Sequence, residues 1–157
     1  MQTDVYISLG SNLGDTSANL RRARAEVSGL EYTEIVAVGD ERITEPVGVT
    51  DQPPFRNQVL RLRTSLEPSE LLRRLLEIED RMGRVRVERW GPRVIDLDVL
   101  FYGRRRIDSP KLTVPHPELA NRPFFLEMVA ELDREFLRSW EEFDMPGEDD
   151  GGSQEQE

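Results

Sequence analysis

The sequence predicts an α+β fold: a largely antiparallel sheet with helices packed on it, followed by a C-terminal helical extension. Three observations predict it. Four segments read as strands, two of them by strict apolar–polar alternation, and two segments between them repeat apolar residues at helical spacing, in the order β-α-β-β-α-β. Gly, Pro and Asn clusters punctuate the joins. Neither a repeat nor a linker interrupts residues 1–143, so one core is expected there. That order is the ferredoxin-like βαββαβ pattern.

Val5 to Leu9 reads as the first strand, and Gly10-Ser11-Asn12-Leu13-Gly14-Asp15 as turn chemistry. The turn lacks both common phosphate-loop patterns, so it reads as a plain connection. Leu20, Ala23, Val27 and Leu30 share one helical face, with Asp15 or Thr16 as the cap. Tyr32 to Ile43 reads as one second strand centred on Ile35 to Val38. Thr44 to Pro54 is a loop with three prolines. Phe55 to Thr64 alternates again and puts Phe55, Asn57 and Val59 on one face. Phe55 beside Asn57 could stack on a flat ring and hydrogen-bond to its edge; a buried core phenylalanine is the plain alternative.

Pro68 suits the first position of a second helix, whose apolar side is Leu71, Leu72, Leu75, Leu76, Ile78 and Met82, and Gly83 ends it. Glu79 falls near that stripe, where an acid needs a partner. Arg93 to Tyr102 alternates as a strand, with Ile95, Leu97, Val99 and Phe101 on one face and Val94, Asp96, Asp98, Leu100 and Tyr102 on the other. After a basic turn at Gly103 to Arg106, Ser109 to Pro117 holds the single histidine, His116, between two prolines. Arg122 introduces a helix over Phe124 to Leu132, which Glu135 to Phe143 extends.

Composition narrows the chemistry. The chain has 157 residues, no cysteine and a formal net charge of −10. This excludes disulfides, thiolate metal sites and a cysteine nucleophile. The N-terminus has no signal-peptide pattern and no apolar run spans a bilayer, so a soluble, cytoplasmic protein is expected. Residues 144–157 contain six acids and no bases, a composition that predicts a disordered tail. The body keeps 25 acids against 21 bases, so its acidity is mild. An acidic chain is a poor general nucleic-acid binder, whereas a local basic island suits a small anion.

That island is Arg84 to Arg93, with four arginines and Trp90, running straight into Asp96 and Asp98. Guanidiniums grip phosphate oxygens bidentately, and carboxylates suit hard divalent cations. Residues two apart on a strand lie about 6.6 Å apart on one face, so the two carboxylates can meet one ion or flank a pair. A solvated polar face is the plain alternative. Val94 and Leu100 on the same face argue for cover, under which adjacent like charges need a cation.

The chain resembles the 6-hydroxymethyl-7,8-dihydropterin pyrophosphokinase family. The resemblance runs from Tyr6-Ile7-Ser8-Leu9-Gly10-Ser11-Asn12-Leu13-Gly14 to about Leu132. Its most specific parts are Arg89-Trp90-Gly91-Pro92-Arg93-Val94-Ile95-Asp96-Leu97-Asp98 and Leu112-Thr113-Val114-Pro115-His116-Pro117. It implies transfer of the β,γ-pyrophosphoryl group of ATP to a reduced pterin's hydroxymethyl oxygen, releasing AMP, in folate biosynthesis. It further implies that Asp96 and Asp98 hold a pair of Mg²⁺ ions. Arg84, Arg86, Trp90 and Arg93 then join them as catalytic residues, with Arg86 and Trp90 in a closing loop. Arg84, Arg93, Ile95, Lys111, Thr113, His116 and Glu79 face ATP. Thr44, Pro46, Val47, Gly48, Phe55, Asn57, Asp96, Arg122 and Phe124 face the pterin. The partners implied are these small molecules, with no nucleic acid or membrane, and a monomer is expected.

The sequence departs from some relatives at four places. Phe55 stands where tyrosine occurs, Lys111 where arginine occurs, Val87-Glu88 is one residue short, and Glu127-Met128 replaces a proline-containing pair. Two other readings fit the residues. One is a non-catalytic domain whose arginine island binds nucleotide or RNA. The other is a diphosphotransferase acting on another hydroxymethyl heterocycle.

Overall fold

A computed structural model describes residues 1–46, 51–83 and 93–143. The elements are β1 (Thr3–Ser11), α1 (Thr16–Ser28), β2 (Thr33–Val38), β3 (Arg42–Thr44), β4 (Phe55–Thr64), α2 (Pro68–Arg81), β5 (Asp96–Tyr102), β6 (Ile107–Asp108) and β7 (Thr113–Val114). A 3-10 turn (Pro117–Ala120), α3 (Phe124–Leu132) and α4 (Arg134–Phe143) follow. The main sheet runs β2-β4-β1-β5 with β3 also paired to β4, and every pairing is antiparallel. Each βαβ unit therefore steps over one strand, as the predicted element order requires.

The sheet is covered on both faces. Val5, Ile7 and Leu9 of β1 are fully buried against Leu20, Ala23 and Val27 of α1 and Leu71, Leu75 and Ile78 of α2. On the opposite face Tyr6, Val59, Leu100 and Phe101 pack under Phe125, Met128 and Val129 of α3 and Trp140 of α4. A strand buried on both sides reads as an apolar run, which is what Val5 to Leu9 shows. The helix ends follow their chemistry. Asp15 caps α1 by accepting from Ala18 N at 3.1 Å. Pro68 opens α2, and Gly83 takes a φ of +83° just past its end.

Five expectations change. The single strand over Tyr32 to Ile43 is two strands, with a bulge at Val36 and a break at Gly39 to Glu41. At the break Gly39 N donates to Val59 O at 2.9 Å, and Gln58 Nε2 donates to Gly39 O at 2.7 Å. A Cβ on Gly39 would stand 3.1 Å from Val59 O, so this close pass suits glycine. The fourth predicted strand starts at Asp96, not Arg93, and its alternation holds only as far as Val99. Its pairing with β1 slips between Tyr6 and Ile7, leaving Leu100 as the extra residue of a bulge. Phe101 therefore joins the α3/α4 face and Tyr102 the α1/α2 face, the reverse of strict period two.

The expected turn at Gly10 and Ser11 is instead the end of β1. Leu76 is 42% exposed because it falls off the buried stripe of α2. The C-terminal helix is two helices, broken at Asp133. Asp133 Oδ2 accepts from Tyr6 Oη at 2.6 Å while Oδ1 caps Phe136 N at 3.1 Å. The helix stops where a side chain is needed as a cap and as a tether to β1.

Candidate active site

In an antiparallel sheet, directly paired residues point to the same face. Gly10 pairs with Asn57 on one side and Asp96 on the other. Ser8, one pleat along, pairs with Val59 and Asp98. Asn57, Asp96 and Asp98 therefore share the α3/α4 face, at the end of the sheet nearest the loops. Thr44 pairs with Phe55 and Arg42 with Asn57, which adds β3 to the same surface. The two aspartates share a face as the spacing predicts, with side chains 28% and 48% exposed.

Each carboxylate has a cationic or protonatable neighbour. Arg93 Nη1 lies 3.0 Å from Asp96 Oδ1, and this guanidinium is only 13% exposed. His116 Nε2 lies 3.7 Å from Asp98 Oδ1. His116 N donates to Leu100 O at 3.0 Å, which lays its segment along β5. Its ring Nδ1 accepts from Glu118 N at 3.1 Å, so Nε2 carries the proton of the neutral ring. The Val114–Pro115 peptide bond before it is cis.

On the other side, Asn57 is 5% exposed, and its Nδ2 donates to Thr44 Oγ1 at 2.6 Å. Phe55 and Phe124 are half-buried, and Phe124 opens α3 beside the cluster that covers Val59. Arg122 is also half-buried; its N donates to Glu118 O at 2.9 Å and its O accepts from Phe125 N at 3.0 Å. Arg42 reaches from β3 to Glu127 (2.6 Å) and Glu131 (3.0 Å), tying the Thr44 strand to α3. The Glu127 that departs from some relatives thus has a partner of its own.

Two residues do not lie on this surface. Ile95 is fully enclosed in the α1/α2 core. Glu79 is 3% exposed on α2, and its Oε2 accepts from Leu97 N at 2.7 Å, beneath the strand between the aspartates. Pro46 and Thr113 are half-buried, and Lys111 is exposed in the β6–β7 turn. Val47, Gly48, Arg84, Arg86, Trp90 and the tail over 144–157 lie outside the described residues.

Sequence reasoning missed Asn12. It is 2% exposed and joins two segments that flank the site. Its Nδ2 donates to Gln52 Oε1 (2.8 Å) and Pro53 O (2.9 Å), while its Oδ1 accepts from Arg93 N (2.8 Å). Only a polar side chain directly after an apolar strand hinted at it.

Among the described residues no three His, Cys, Asp or Glu side chains gather as a cation cage. Two carboxylates on one face still fit magnesium, which takes one or two carboxylates and completes its shell with water and substrate phosphate. The site so built offers paired anionic ligands, a histidine donor and an arginine at one end, and aromatic and amide groups at the other.

Known proteins are similar to this chain. Residues 6–134 match the family described as 7,8-dihydro-6-hydroxymethylpterin-pyrophosphokinase (HPPK). A 2-amino-4-hydroxy-6-hydroxymethyldihydropteridine pyrophosphokinase of Bacillus subtilis is 42% identical over 132 residues, 84% of this chain and 79% of the relative. One of the same name from Pseudomonas aeruginosa is 44% identical over 128 residues, 82% and 79% of the two chains. A mitochondrial folate synthesis bifunctional protein of Pisum sativum is 42% identical over 147 residues, 89% of this chain but 28% of the pea protein. By that match across most of its length, the chain belongs to the 7,8-dihydro-6-hydroxymethylpterin-pyrophosphokinase family.

Proposed function

We propose that the protein transfers the β,γ-pyrophosphoryl group of ATP to the hydroxymethyl oxygen of 6-hydroxymethyl-7,8-dihydropterin. The products are the pterin diphosphate and AMP, in a step of folate biosynthesis. The observation that carries the reading is one continuous row. Asn57, suited to a heterocycle edge, and Asp96, suited to a cation, flank Gly10 on the same face of adjacent strands. A substrate with a flat ring at one end and an attacking oxygen at the other fits that arrangement.

Each residue has a physical role in this reading. Thr44 holds the Asn57 carboxamide at one angle, so its hydrogen bond to a ring edge needs little reordering. Phe55 and Phe124 supply the faces between which the ring lies. Asp96 and Asp98 would hold a pair of Mg²⁺ ions. Bound there, the ions would neutralise phosphate charge and lower the pKa of the attacking hydroxyl. Arg93 sits beside Asp96, where a triphosphate would need its charge compensated. His116 presents its Nε2 proton toward the same place. Glu79 acts on the site from below, through the main chain of Leu97. Arg84, Arg86, Trp90, Val47, Gly48, Lys111, Thr113, Pro46 and Arg122 complete the ATP and pterin contacts in this proposal. With two substrates to align and a phosphorus to be attacked in line, orientation and charge supply most of the rate.

The partners are ATP and the reduced pterin, and a cytoplasmic monomer belongs to the same proposal. No helix among the described residues is long and apolar enough to cross a membrane. The test is direct. Full-length protein, ATP, Mg²⁺ and the reduced pterin are mixed, and AMP is measured. AMP that appears only with both the pterin and Mg²⁺ supports the reading. Absence of AMP, with salt-sensitive RNA binding that ignores Mg²⁺, would replace it with a nucleic-acid-binding role.

A further inference from the structure

Gly10 stands at the centre of the row that carries the proposed function, yet its backbone does not demand a glycine. Its φ is not positive, unlike those of Gly14, Gly83 and Gly103. It pairs on both sides as an ordinary strand residue. Glycine within a strand is the less stable choice, because it loses more conformational freedom and packs no side chain. Where a strand keeps one without a backbone reason, close approach of another group is the physical alternative.

The surroundings say what approaches. A Cβ built on Gly10 would lie 2.8 Å from Asn57 Oδ1 and 3.7 Å from Phe55 Cδ1. The Asn57 carboxamide cannot yield freely, because its Nδ2 is held by Thr44 Oγ1 at 2.6 Å and the residue is 5% exposed. Asp96 flanks Gly10 from the other strand. Neighbouring strands are about 4.8 Å apart, so the main chains of Asn57 and Asp96 stand about 10 Å apart across Gly10, and the Asn57 carboxamide oxygen leans over it. Ser8, one pleat along, keeps the centre of the next row small as well. The central strand thus lies between Asn57 and Phe55 on one side and the aspartates on the other.

We propose that Gly10 is a specificity-determining residue: its bare backbone leaves room for the Asn57 carboxamide and so lets Asn57 keep the orientation in which it reads the edge of a flat heterocycle. The proposal deepens the pyrophosphokinase reading and rests on it. It commits to a class of ligand, a planar ring with a hydrogen-bonding edge turned toward Asn57. It also makes Gly10 act on the ring and not on the nucleotide, since an added methyl would meet Asn57 and Phe55.

The test compares full-length wild type, Gly10→Ala, Asn57→Ala and the double variant. The readouts are pterin KM, kcat, affinity for a non-hydrolysable MgATP analogue, and melting temperature. Gly10→Ala should raise pterin KM at least about tenfold while the nucleotide affinity stays within about threefold. On the Asn57→Ala background, where the added methyl meets no carboxamide, Gly10→Ala should change KM by less than about threefold. Wild-type KM in Gly10→Ala overturns the proposal. So does an equal loss of ring and nucleotide affinity, or a full tenfold effect in the absence of the Asn57 side chain. Should Gly10→Ala alone fail to fold, the double variant decides: folding with the KM of Asn57→Ala supports the proposal, and failure to fold makes Gly10 purely structural. A wild type that forms no AMP would sink the functional reading itself, and that outcome is separate from an active enzyme indifferent to Gly10→Ala.

Discussion

Asn12 and Arg93 hold each other by two hydrogen bonds, Asn12 N to Arg93 O at 3.0 Å and Arg93 N to Asn12 Oδ1 at 2.8 Å. The same side chain donates to Gln52 and Pro53, so one buried amide pins the segments on both sides of the site. Asn12→Ala removes three hydrogen bonds and leaves buried groups to find other partners. Each such orphan costs about 1–3 kcal/mol, and the melting temperature should fall by several degrees. Because Arg93 enters the proposed phosphate end, kcat/KM should drop about tenfold or more, a geometry effect of the size expected for a misplaced group. Asn12→Asp keeps the acceptor for Arg93 N but sets a carboxylate against the Gln52 and Pro53 oxygens. It should raise pterin KM more than nucleotide KM. Equal changes in both constants would show that the two segments are not held separately.

Glu79 reaches the site through the main chain of Leu97. Its buried carboxylate accepts from Leu97 N, the residue between the two aspartates. Glu79→Ala would leave that N–H buried without this partner, at a cost of about 1–3 kcal/mol. It should also loosen the register of Asp96 and Asp98, so the Mg²⁺ concentration for half-maximal activity should rise. Glu79→Gln retains an oxygen acceptor and should fall between. Titration of activity against Mg²⁺ checks this, and a magnesium curve identical in all three proteins refutes it.

How much of this could be read from the chain depends on what each pattern encodes. Period two put Asp96 and Asp98 on one face, and the structure agrees, because no bulge intervenes between them. The same period failed shortly afterwards at Leu100, since a bulge is set by pairing with Tyr6 and Ile7, not by the strand's own sequence. The helices α1 and α2 were legible because burial on one side enforces apolar spacing. Gly10 and Asn12 were hidden for the opposite reason. A Gly-Ser-Asn run looks alike in a turn and at a strand end whose side chains serve a site. The joining of Thr44, Asn57, Asp98 and His116 from separate segments is a tertiary fact, and only the family resemblance anticipated it.

Asp98 separates catalysis from stability. Its side chain is 48% exposed, and the His116 contact at 3.7 Å is too long to be a strong hydrogen bond. Asp98→Asn should therefore change stability by no more than about 0.5 kcal/mol. Turnover should fall about 10²–10³-fold if the carboxylate holds the charge-compensating ion. Near-normal turnover would remove Asp98 from the proposed metal ligands, and loss of folding would make it structural. Calorimetry and AMP formation on the same preparation distinguish the three outcomes.

Tyr6 offers a pH test of the α4 docking. Burial, then the hydrogen bond to Asp133, pushes its phenol pKa above the ordinary tyrosine value. Arg61, which pairs with Asp4 at 2.8 Å and Asp133 at 3.4 Å, opposes that rise only in part. Below the ordinary value of about 10, Tyr6 is protonated in both folded and unfolded chains, and its contribution is fully present. Above it the unfolded chain loses the proton while the folded chain keeps it, so stability falls as pH rises. Tyr6→Phe should cost about 1–2 kcal/mol near neutral pH, from the lost hydrogen bond to a charged acceptor. It should also lack this part of the alkaline decline, because the ring no longer titrates. The gap in melting temperature between the two proteins should thus narrow between about pH 9 and 11. Tyr32 and Tyr102 are common to both and drop out of the comparison. A gap that stays constant over that range would show that the Tyr6 proton is not held by the fold.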